Sequence, residues 1–163
     1  PDDETFCAGG TIAKYCSAGI GTDLYCATNG DAGNTSGVPV SSREELARIR
    51  QDEVRSAARV LGIESIEFGG YVDGTLHELE PTELIGKIVS FFRRTQPSVV
   101  LGFGPEGAPT GHRDHRAMSR ATVAAFFLSG LRTAYPEQVE GGLEPHRHLV
   151  LERRLPSRVC HSP

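Results

Sequence analysis

The chain has 163 residues, 17 Lys and Arg against 21 Asp and Glu, and a formal net charge of −4. At 38% hydrophobic and 23% charged residues it is long enough to bury a core, which excludes wholesale disorder. No apolar run approaches the roughly 18–20 residues of a membrane span, and no basic block offers a footprint for nucleic-acid phosphates.

In chain order, Phe6 to Cys16 reads as a helix that stops before Gly19, a natural C′ glycine. Ile20 to Thr28 is rich in β-formers and predicts a strand. A Gly/Asn/Ser/Pro loop over 29–40 follows, of a length usually tied to function. Ser41 and Ser42 precede Glu44 and Glu45 at capping-box spacing. The helix they open runs to Leu61, buries Leu46, Ile49, Val54, Ala58 and Leu61, and turns Arg43, Arg55 and Arg59 to solvent. Ser65–Phe68 is a short strand and Gly69–Gly74 its turn-rich exit. Pro81 opens a helix with an apolar stripe at Leu84, Ile85, Ile88, Val89 and Phe92, which must stop before Pro97. The apolar run Ser98–Phe103 predicts a strand buried on both faces. A glycine-rich loop leads to a helix over His115–Leu128, and His148–Glu152 can add a last strand. Strands alternating with helices predict one α/β domain over 1–163, with a largely parallel sheet and ligands at its carboxyl ends. The four cysteines (Cys7, Cys16, Cys26 and Cys160) hold no CxxC pair and read as thiols of a reducing, cytoplasmic compartment.

Two motifs are decoys. Gly102-Phe-Gly104-Pro-Glu-Gly107 has the letters of a dinucleotide fingerprint, but Pro105, Pro109 and Gly111 prevent the helix that must begin within it. His112-Arg113-Asp114 copies a kinase catalytic loop, yet the required Asn is Ser119. Chemistry instead points to two clusters about 110 residues apart, Asp2-Asp3-Glu4 and His112-Arg-Asp-His115. Imidazole and carboxylate together are the ligand set of a hydrolytic Zn²⁺ site. Adjacent carboxylates at a turn point in different directions, so one can hold a metal while the other reaches its water. Asp114 is placed to orient an imidazole by accepting its N–H. Each cluster alone is ambiguous, since acids at a helix start also suit the helix dipole.

These residues resemble the LmbE/PIG-L-type zinc-dependent N-deacetylases of N-acetylglucosaminyl compounds. The resemblance rests on Pro1-Asp2-Asp3-Glu4, the pair Gly9-Gly10 before a helix, and Ala27 to Asp31. It continues through Arg50, Glu53 and Leu61-Gly62, then Tyr71 to Gly74, then Gly111 to His115, so it covers about residues 1–130. The resemblance implies a Rossmann-like three-layer sandwich and one Zn²⁺ per chain. Asp3 and His115 correspond to metal ligands, Asp2 to the general base, and His112 to a general acid or oxyanion stabiliser oriented by Asp114. Arg50 and Asp73 match substrate-contacting positions, and Asn29 sits in a loop at the pocket's edge. The implied partner is a small amino-sugar substrate. Two alternatives stay open, an amidase of a related thiol conjugate and a metal-less binding protein; a homo-oligomer is also compatible.

Three departures accompany the match. Position 113 is Arg where relatives often carry Pro, and past residue 130 His146 and His148 take no catalytic role, reading instead as surface or structural histidines. The family's first metal ligand, a His directly before the Pro, is not in the sequence, nor is the strand that carries it. The chain is therefore expected to be a truncated record of a longer one that, as written, binds zinc poorly.

Overall fold

The computed structural model describes residues 1–33, 35, 37, 39–147 and, as backbone, 150–153. They form two compact units, Pro1–Thr75 and Leu76–Pro163. In the first, α1 (Asp3–Ser17), β1 (Asp23–Thr28), α2 (Arg43–Leu61) and β2 (Ser65–Tyr71) alternate as predicted. Helix α1 starts three residues earlier than its apolar pattern suggests, because the Asp2 carbonyl accepts the N–H groups of Thr5 and Phe6, both at 3.0 Å. Gly9 and Gly10 therefore lie inside this helix, not ahead of it. Gly9 is buried where α1 faces α2, and a Cβ there would stand 3.7 Å from Leu61, an ordinary packing distance.

Helix α2 is capped as its sequence dictates. The Ser42 hydroxyl accepts the Glu45 N–H at 3.1 Å, and Gly62 closes the other end in the left-handed conformation. The Glu45 carboxylate accepts from the N–H and hydroxyl of Ser41, not from Ser42, and these bonds hold it below the ordinary carboxyl range. The helix buries Leu46, Val54 and Ala58, while Ile49 and Leu61 are half-buried. Its outer arginines Arg43, Arg55 and Arg59 are exposed as expected; Arg43 also pairs with Asp31, and the Arg55 guanidinium lies 5.0 Å over the Phe68 ring.

Strand β2 runs through Gly69-Gly70 to Tyr71 instead of ending at Phe68. It pairs in parallel with β1, Asp23 opposite Ser65, with an irregularity between Cys26 and Thr28. A Cβ at Gly69 would lie 2.7 Å from the Ala27 carbonyl, which is why a glycine-rich segment stays in the ladder here.

The second unit opens with a 3₁₀ turn at Leu76–Glu78, followed by α3 (Pro81–Thr95), β3 (Val99–Gly102), α4 (Arg113–Leu128), α5 (Pro136–Glu140) and β4 (Val150–Arg153). Leu84, Ile88, Val89 and Phe92 of the predicted stripe are buried, and α3 packs on α4. Strand β3 pairs in parallel with β4, Val99 opposite Val150. The described strands thus form two parallel two-stranded ladders, not one continuous sheet. Only one face of β3 is buried: Val100 is 8% exposed, but Val99 and Leu101 are 51% and 44% exposed, against the expectation of burial on both faces. His148 lies outside the described residues. His146 is buried, not superficial, and its N–H donates to the Ser129 carbonyl.

One residue of α3 breaks its pattern. Arg93 is only 2% exposed, and its guanidinium donates to the carbonyls of Ser129, Leu131, Ala134 and Tyr135 and to the Gln138 side chain. A planar five-donor fork can satisfy so many acceptors at once, which lets the 129–135 loop follow α4 without repeating structure of its own. Among the described residues no helix is long and apolar enough to cross a membrane.

Candidate active site

Each unit carries one of the two clusters. In the first, Asp2 is the N-cap of α1 with φ of 92°, a left-handed conformation that costs a non-glycine residue on the order of 1–3 kcal/mol. It directs the Asp2 and Asp3 carboxylates differently: Asp2 is exposed and Asp3 half-buried in the first helical turn. The Asp2 carboxylate accepts from Arg50 Nη2 at 2.8 Å. Arg50, predicted to face substrate, is thus bonded to the predicted base, and it also pairs with Glu53 one turn on.

The loop after β1 is organised by its own acids. Asp31 Oδ1 accepts the Asp73 N–H at 2.8 Å, joining the ends of β1 and β2 and fixing the Asp73 turn. Asn29 donates its N–H to the Tyr71 carbonyl, and its side-chain oxygen accepts from Gln51 at 3.1 Å. Asn29 and Asp73 therefore sit together at the carboxyl ends of paired strands, where open α/β sheets hold ligands.

In the second unit the two histidines have opposite hydrogen-bond polarity. His112 is the N-cap of α4, and its Nδ1 lies 3.2 Å from the Asp114 backbone N–H. An N–H can only donate, so Nδ1 accepts and the ring proton resides on Nε2. His115 Nδ1 lies 3.3 Å from the Gly107 carbonyl, which can only accept. That assigns a proton to Nδ1 and makes Nε2 the basic ring nitrogen. Phe103 stacks on the His115 ring at 4.1 Å and 9°, and the two imidazoles are 5.3 Å apart. Gly107 has φ of 75°, and a Cβ there would fall 2.9 Å from the His112 carbonyl, so only glycine can offer this carbonyl to His115.

Asp114 is held differently from expectation. Its link to His112 runs through the main-chain N–H, while its carboxylate, 6% exposed, accepts the Leu76 N–H at 3.1 Å and lies 3.6 Å from His77 Nδ1. The carboxylate fastens the 3₁₀ turn to the first turn of α4. His77 was not singled out by sequence, and neither was the Gly107 carbonyl; a His next to a turn, three residues after Gly74, carried no spacing signal.

Taken one unit at a time, the half-buried Asp3 carboxylate and the His115 imidazole are both of a type that zinc accepts. Among the described residues no group of three or more His, Cys, Asp or Glu is gathered to hold a metal. The predicted nucleotide decoy behaves as one, since α4 begins at Arg113, well past Gly102–Gly107.

The chain is thus of the α/β class, with parallel ladders, paired acids opening its first helix and two histidines at the start of a later one. The chain belongs to the PIG-L family, described as GlcNAc-PI de-N-acetylase, which matches residues 1–126. It is 36% identical, over 77% of its length and 55% of the relative's, to a Bacillus anthracis protein named "Probable N-acetyl-alpha-D-glucosaminyl L-malate deacetylase 2". It is 30% identical, over 94% of its length and 59% of the relative's, to a 1D-myo-inositol 2-acetamido-2-deoxy-alpha-D-glucopyranoside deacetylase of Rhodococcus erythropolis. Among solved structures, the N,N'-diacetylchitobiose deacetylase of Pyrococcus horikoshii superposes with a TM-score of 0.83 at 29% identity, over 93% of this chain and 55% of that one. The chain thus spans a little over half the length of these relatives.

Proposed function

We propose that this chain carries the catalytic residues of a zinc-dependent hydrolase that removes the acetyl group from an N-acetylglucosaminyl compound. The observation that carries the reading is the opposite polarity of the two histidines: His112 Nδ1 accepts the Asp114 N–H, whereas His115 Nδ1 faces the Gly107 carbonyl as a donor. Family membership and the relatives' names support it.

Asp3 and His115 Nε2 are the chain's donors to the metal. A bound zinc ion would supply Lewis-acid polarisation of the acetamide carbonyl and a water acidified towards neutrality. Asp2 accepts a proton from the attacking water, acting as general base. His112 donates its Nε2–H to the carbonyl oxygen as negative charge develops there. Asp114 keeps the α4 N-terminus in place through Leu76 and His77. Asn29, Asp73 and Arg50 contact the sugar. The proton that Asp2 took from water passes to the amide nitrogen as the C–N bond breaks, so the free amine leaves and the acetic acid formed ionises to acetate.

Acetate release from a panel of N-acetylglucosaminides, set beside bulkier N-acyl glucosamines, tests the reading. Faster turnover of the acetyl compounds is expected. Preference for the bulkier amides would reassign the protein as an amidase of larger acyl groups.

A further inference from the structure

We infer that Arg50 is a positioning residue that clamps the Asp2 carboxylate, beyond any contact it makes with substrate. This inference rests on the deacetylase reading for its catalytic consequence, though not for the contact itself. The Arg50 side chain is 21% exposed and Asp2 52%, so a largely covered guanidinium is offered to an open carboxylate. Nη2 reaches Asp2 Oδ2 at 2.8 Å and the Pro1 carbonyl at 3.3 Å, while Nη1 is held by Glu53. One side chain on α2 thereby grips both the carboxylate and the backbone of the strained N-cap of α1.

The stem of Arg50 is held as firmly as its head. Gly30, with φ of 67°, lies against it: a Cβ at 30 would stand 3.2 Å from both Cβ and Cγ of Arg50 and 2.7 Å from the Pro1 ring. The glycine leaves room for the arginine stem and the proline to meet over the loop backbone. A guanidinium held at three points and packed on its stem has lost the freedom that long surface arginines keep. It can therefore fix the direction in which Asp2 presents its free oxygen, and a base must lie within hydrogen-bond reach of the proton it takes.

The clamp and a pure substrate-binding role predict different outcomes. Nitrogen-15-edited spectra of the metal-free protein should show resolved Arg50 guanidinium N–H signals that collapse in Asp2→Asn. Unchanged signals in that variant would overturn the clamp, whether or not the protein is active. In acetate-release kinetics, Arg50→Met should lower kcat by about 10–100-fold, the usual loss when a partner orienting a site residue is removed, with KM moving less than about 2-fold. Arg50→Lys should restore only part of kcat, because an ammonium cannot grip Asp2, Pro1 and Glu53 together. Gly30→Ala should reproduce the kcat loss by displacing the stem. A raised KM at unchanged kcat in Arg50→Met would instead return Arg50 to substrate binding alone. Full activity of Asp2→Asn would sink the deacetylase assignment of Asp2 while leaving the spectroscopic result to decide the clamp.

Discussion

Asp2→Asn is expected to lower acetate release by about 10²–10⁴-fold, the range for loss of a general base, while leaving the zinc content unchanged. The adjacent Asp3→Asn should lose zinc and activity together. The difference follows from where the two carboxylates sit. Asp2 is the exposed N-cap held by Arg50, and Asp3 is half-buried in the first turn behind it. An amide at position 2 keeps the size of the side chain but loses the charge that Arg50 grips, and it cannot accept a proton from water. An amide at position 3 loses the charge that a divalent cation needs. Metal analysis of both purified variants beside their acetate-release rates checks this. Equal metal loss in the two variants would mean that the roles are shared or exchanged.

The second large effect is on stability. Arg93→Met should destabilise the protein by about 3 kcal/mol, because four carbonyls and an amide oxygen lose their donor where burial leaves little water to replace it. For a chain of this size that corresponds to a fall of about 6–12 °C in the unfolding midpoint. Arg93→Lys should recover little, since an ammonium has three donors and no planar fork. The loss should appear first as faster amide exchange at 129–138, the segment the guanidinium holds. A midpoint within about 1 °C of the parent in thermal unfolding would show that water replaces the arginine.

Much of this was legible in the residues. The α2 cap, the Gly62 stop and the α3 stripe are local signals, and local physics decides them. The two clusters stand out only when taken together, since acids in a first helical turn and a lone pair of histidines each have other uses. What escaped was set by partners distant in sequence. Arg93 falls four residues after Val89 on the apolar stripe, and a charge on that face is a signal that pattern reading passes over. The two-sided burial predicted for β3 failed for a related reason. A run of apolar residues records what a strand can bury, not how much the described residues cover, and Val99 and Leu101 stay half open. The tie between Asp114 and Leu76 spans 38 residues, so the carboxylate's real task could not be read from its neighbour His112. The strand reaching Tyr71 was missed because Gly69-Gly70 resembles a turn, whereas the glycine is there to clear the Ala27 carbonyl.

The most direct test of the account is to measure bound metal and acetate release in the same zinc-replete preparation, before and after chelation, with an N-acetylglucosaminide as substrate. The account predicts acetate and free amine in equal amounts, loss of acetate release on chelation, and recovery when zinc is returned. Acetate release that persists after all divalent metal is removed, or a zinc-loaded protein that leaves every N-acetylglucosaminide intact, would contradict it.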